Sequence, residues 1–132
     1  MNSSDRHVIV KKQRPVNLEL TSFMPASAIA SILHRVSGVV FFFALIFVIV
    51  AWTMSLQSAE SFELAKSLMQ GVIGKVIVIA ILAALSFHTI IGLRHLVMDM
   101  GYWEELESGN LSAKLAIAIW VVTVILAGVW IW

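Results

Sequence analysis

The sequence predicts an all-α integral membrane protein with three transmembrane helices, forming part of a hetero-oligomeric helix bundle. Two observations predict the helices. The 132 residues are 60% hydrophobic and only 13% charged, against about 25% charged in soluble domains of this size. Three stretches carry no Asp, Glu, Lys or Arg: Val36–Ala59 over 24 positions, Val76–Leu93 over 18 and Leu115–Trp132 over 18. A helix needs about 20 largely apolar residues to cross the hydrocarbon core. The third observation gives orientation. With three spans, the N-terminus and the second connection share one side, which holds Arg6, Lys11, Lys12, Arg14, Arg35, Arg94 and Lys114. The other side holds only Lys66 and Lys75. Bases collect on the cytoplasmic side, so the N-terminus is expected there.

In chain order, residues 1–29 are expected as a polar, basic cytoplasmic segment, too long before the first apolar run for a signal peptide. Residues 30–132 form the transmembrane domain. The first helix is expected at about 30–54 and opens on Ser31-Ile32-Leu33-His34-Arg35. Ser31 and Arg35 share a face, one turn apart, with His34 beside it. Such a cluster suits a polar headgroup at the membrane edge, although an Arg that snorkels beside a packing Ser explains it equally. Leu56–Gly71 is expected as a connection. The second helix is expected at about 72–97 and the third at about 113–132. The loop acids Asp99, Glu104, Glu105 and Glu107 read as solvated. Trp52, Tyr102, Trp103, Trp130 and Trp132 fall near span ends, as interfacial aromatics do. Small residues, among them Ala30, Ser37, Gly38, Ala84 and Gly92, allow close helix packing. Three helices leave a wide lateral surface, so partner helices are expected.

His88 stands inside the second charge-free run, six residues or about 9 Å before Arg94. An imidazole at that depth marks a functional site by default, and a neutral imidazole ligates metals or haem iron. His95 lies on nearly the same face. Gly92, one turn on, is expected to leave room beside the imidazole for a flat group. A histidine bonded to a neighbouring carbonyl, with a glycine used for packing, fits the same pattern. No second histidine lies at that depth, so a haem with two axial histidines would take the other from a different polypeptide. There is no cysteine, which removes thiolate ligands and iron–sulfur clusters. Nothing points to nucleic acid. A purely structural anchor without haem, and a channel or transporter subunit, remain open from spacing alone. The second rival has neither paired intramembrane acids nor a broken helix to support it.

Two motifs are more specific. Arg14-Pro15-Val16 leads to Ser31-x-x-His34-Arg35-x-Ser37, and His88-x-x-x-Gly92-Leu93-Arg94-His95-Leu96-x-Met98-Asp99-x-Gly101 follows. In both, the chain resembles the cytochrome b membrane-anchor subunit of succinate dehydrogenase, the succinate:quinone oxidoreductase of the tricarboxylic acid cycle and aerobic respiration. The resemblance implies a bacterial inner-membrane subunit that shares one haem b with a second small membrane-anchor subunit. It implies His88 as an axial iron ligand, with the opposite histidine on that second anchor. Ser31 and Arg35 would line the ubiquinone site, and His34 and Arg35 would lie near the haem propionates. Electrons would come from an iron–sulfur subunit, itself fed by a flavoprotein subunit. Reduction builds negative charge on the quinone oxygens, which a hydroxyl donor and a fixed cation favour where water is scarce. Arg94, at the same end as Arg35, is expected to help balance propionate charge.

Overall fold

A computed structural model describes residues 24–132, all but the basic N-terminal stretch. Four helices follow in order: α1 Ala26–Gln57, α2 Ala59–Gln70, α3 Val72–Asp99 and α4 Leu106–Ile131. Three of them, α1, α3 and α4, are long and apolar enough to cross a membrane. The long helices all start before their charge-free runs, and α3 also ends after its run, because helical hydrogen bonding continues into the polar interface where the apolar pattern stops. Thus α1 begins at Ala26 and α4 at Leu106. Arg6, Lys11, Lys12 and Arg14 lie outside the described residues.

The connection expected at Leu56–Gly71 is instead mostly helix. Ser58 breaks α1 by adopting an extended backbone and caps α2 in the same step. Its hydroxyl accepts from the Ser61 N–H at 3.1 Å, while the Ser61 hydroxyl accepts from the Ser58 N–H at 2.9 Å. This reciprocal pairing satisfies two donors that a helix start leaves unpaired. α2 then turns onto α3 at Gly71. The corner is tight at Gly74, where a Cβ would stand 2.7 Å from the Met69 Cα. Only glycine fits without moving backbone.

α3 is the middle element, packing against α1 on one side and α4 on the other. Its core is small: Ala30, Phe87, Ile91, Ala113 and Ala116. Trp120 ties α4 to α3 at mid-depth, its indole N–H donating to the Ala83 carbonyl at 2.9 Å and its ring meeting Phe87 edge-on. At the end bearing Arg35, Arg94 and Lys114, here termed the basic end, Asn110 of α4 accepts from the Ser27 N–H of α1 at 3.1 Å. That bond supplies the start of α1 with a partner its own N-cap, Pro25, does not give. At the other end the Lys75 ammonium lies over the Trp132 ring and donates to its carbonyl. Most large apolar side chains of α1, from Val36 to Trp52, face outward.

Candidate functional site

The site forms where α1 and α3 cross. In both helices a histidine precedes a glycine by one turn: His34 and Gly38 on α1, His88 and Gly92 on α3. The antiparallel crossing sets each histidine against the other helix's glycine. A Cβ at Gly38 would stand 2.9 Å from the His88 Cε1, and one at Gly92 would stand 3.1 Å from the His34 Nε2. Each glycine is a notch that admits an imidazole.

The His88 ring is held by its Nδ1, which lies 3.1 Å from the His34 carbonyl oxygen and 3.3 Å from the Ser37 hydroxyl. A carbonyl can only accept, so Nδ1 carries the proton in this arrangement. The Ser37 hydroxyl spends its own proton on the same carbonyl, at 2.7 Å. The lone pair of neutral His88 is then on Nε2. Imidazoles that bind metals are commonly fixed in this way, with the far nitrogen bonded to a carbonyl.

His34 stacks on His88 with ring centroids 4.1 Å apart and planes 11° from parallel. Stacking covers a face of the His88 ring, whereas a metal binds in the ring plane at the edge. The two contacts are compatible. His95 meets the far side of His34 edge-on, at 5.2 Å. The His34 Nε2 is buried without a hydrogen-bond partner among the described residues.

The space expected beside Gly92 for a flat group is filled by His34, and the notch next to His88 is provided by Gly38 instead. Sequence reasoning identified Gly92 from its place one turn after His88, but partners across a helix crossing are not encoded in local spacing. Ser37 and Gly38 stand one turn after His34, and that repeated His-to-Gly spacing was the available signal. Ser31 is half-buried and Arg35 exposed, one turn apart on α1. Neither side chain bonds to His88.

Arg94 does not join this group. Six residues carry it about 120° around α3 from His88. It turns to α4, where its Nε donates to the Ser112 hydroxyl at 2.9 Å and its Nη2 to the Gly109 carbonyl at 2.8 Å. Its bonded donors therefore face α4 and not the histidine pair.

Three membrane-length helices define a multi-pass membrane protein, and the crossing of α1 and α3 sets His88 and His34 side by side. The chain belongs to the family of succinate dehydrogenase/fumarate reductase transmembrane subunits, whose profile matches residues 10–127. It is 42% identical over 122 residues to the succinate dehydrogenase cytochrome b556 subunit of Coxiella burnetii, covering 91% of this chain and 98% of that one. The subunit of the same name from Paracoccus denitrificans is 32% identical over 86% of this chain and 88% of its own length. That from Rickettsia conorii is 31% identical over 85% and 94%.

Proposed function

We propose that this chain is a membrane anchor of succinate dehydrogenase that ligates one haem b through His88 and lines part of the site where ubiquinone is reduced. The observation that carries the reading is the fixed His88 ring, its Nδ1 bonded to the His34 carbonyl and its Nε2 edge left uncovered by the stacked His34. The residues fit the group. One imidazole is offered, the Gly38 notch and the His34 carbonyl set its position, and His34 keeps a buried nitrogen unpaired among the described residues. The cytochrome b556 naming of the relatives supports the same assignment.

When bound, the haem supplies a one-electron carrier inside the membrane. The remaining work falls to side chains. His88 holds the ligating tautomer through its carbonyl bond. This chain offers one such imidazole, so a second protein ligand to the haem would come from a second small anchor subunit. His34 and Arg35 are adjacent at the basic end, where propionates would need partners, and Arg35 is exposed there. Ser31 donates a hydrogen bond to a quinone oxygen, and Arg35 places a positive charge where negative charge develops. An iron–sulfur subunit delivers electrons on that side, after a flavoprotein subunit oxidises succinate. The basic end, with seven of nine bases by sequence, faces the cytoplasm of a bacterial inner membrane.

The test is the absorption spectrum of the purified complex carrying His88→Ala. Loss of the low-spin haem bands is expected, and an unchanged spectrum would sink the ligand assignment. The quinone site is separable. Ser31→Ala and Arg35→Ala are expected to slow quinone reduction by roughly 10- to 100-fold, while succinate oxidation with a soluble dye persists. If both activities fell together, the change would lie in assembly.

A further inference from the structure

Among the described residues Arg94 is the one charged side chain that is buried, at 4% exposed. It has no carboxylate partner: the ion pair found among these residues joins Lys66 and Glu63. Its Nε and Nη2 are bonded to α4, but Nη1 is buried with no partner. A buried guanidinium is almost never left without a counter-ion.

The surroundings add positive character. Arg94 lies against the first two turns of α4, where a helix start presents unpaired N–H groups and the positive end of its dipole. The N-cap, Glu105, makes no side-chain capping bond there. Glu105 and Glu107 are exposed, and neither bonds to Arg94. No carboxylate among the described residues balances the charge at this corner.

A groove of about 480 Å³ leads away from it between α3 and α4. Beyond Arg94, Ser108 and Ser112 its lining is apolar, with Leu93, Val97, Leu111, Leu115 and Ile119 along its walls and Trp103 at the rim. From Ser108 to Ile119 is 11 residues, or about 16 Å along α4. That is close to half of the roughly 30 Å hydrocarbon core, the depth of one leaflet.

We propose that this groove binds one phospholipid of the basic-end leaflet. Its phosphodiester neutralises Arg94 and accepts from N–H groups of the first turn of α4, and one acyl chain lies along Leu111, Leu115 and Ile119. The charge and the length of the groove both match this occupant. A free phosphate would use the corner and leave the groove empty. The site sits about a third of a turn around α3 from His88 and does not depend on haem.

The test uses the whole complex, purified from membranes in mild detergent and washed to remove loose lipid. Native mass spectrometry is expected to find one retained phospholipid per copy of this chain. Arg94→Gln and, separately, Leu115→Trp, which fills the groove without touching the Arg94 bonds, are each expected to cut retention about tenfold. If Arg94→Gln fails to assemble, Leu115→Trp decides. Adding phosphatidylglycerol to the delipidated parent complex is expected to raise its thermal midpoint, and inorganic phosphate is expected to leave it unchanged. Equal retention in the parent and Leu115→Trp complexes overturns the proposal. So does a midpoint that rises equally with inorganic phosphate, or a partner subunit's carboxylate cross-linked to position 94.

Discussion

Gly38 and His88 are useful only together. At 2.9 Å from the His88 Cε1, a methyl group at position 38 must push the ring or spread the helices. Gly38→Ala is therefore expected to shift or weaken the low-spin haem bands of the complex, while Gly128→Ala, a helical glycine with open space around it, leaves them unchanged. Equal spectra for Gly38→Ala and the parent complex would mean that the notch does not position the ring. Gly92→Ala is expected to act on His34 instead, since the nearest atom there is the His34 Nε2 at 3.1 Å. His88 was legible from the sequence because its cost inside an apolar run is a one-dimensional fact. The notch was not, because Gly38 and His88 are 50 residues apart and meet only through the crossing. Arg94 illustrates the opposite case. Its position at the basic end was legible, but the choice between the face toward α1 and the face toward α4 depended on Ser112 and Gly109.

The elements repeat this division. Long charge-free runs fix α1, α3 and α4, since a bilayer demands length and apolarity that sequence states directly. α2 carries Glu60, Glu63 and Lys66 on 12 residues, and hydropathy cannot distinguish such a segment from a loop. Its signature was Ser58 followed three residues later by Ser61, a weaker form of the usual capping pair. Ser58→Ala is expected to cost about 1 kcal/mol of local stability, read as faster amide hydrogen exchange across residues 59–70. No change in the haem spectrum should accompany it. If exchange in α2 were unaltered, the cap would be dispensable. Deeper in the membrane, Trp120→Phe removes the bond to the Ala83 carbonyl but keeps an aromatic ring beside Phe87. A loss of about 1 kcal/mol is expected, measured as a lower thermal midpoint of the complex.

At the scale of the whole molecule, the described residues bury few large side chains. Among the described residues, six hydrophobic side chains are buried, four of them alanines or similarly small contributions to a core: Ala30, Ala65, Ala113 and Ala116, beside Phe87 and Ile91. Lipid can cover an apolar face, but under the proposed reading a second imidazole would have to come from a partner subunit. Expressed without its partner subunits, the chain is expected to reach the membrane and to show no low-spin haem spectrum. Co-expression of the second anchor is expected to restore it. A low-spin spectrum from the isolated chain would refute the shared-haem reading.

The paired histidine–glycine notches also act as a vernier. Sliding α1 along α3 by one turn, about 5.4 Å, would set each imidazole against a residue with a side chain and break the bond from His88 to the His34 carbonyl. The two helices therefore have one permitted register. Any substitution elsewhere that shifts them, at the Gly74 corner for instance, is recorded in the position of a single ring. If His88 ligates haem as proposed, haem absorbance would serve as a ruler for helix sliding, sensitive to strain introduced at the opposite end of the membrane.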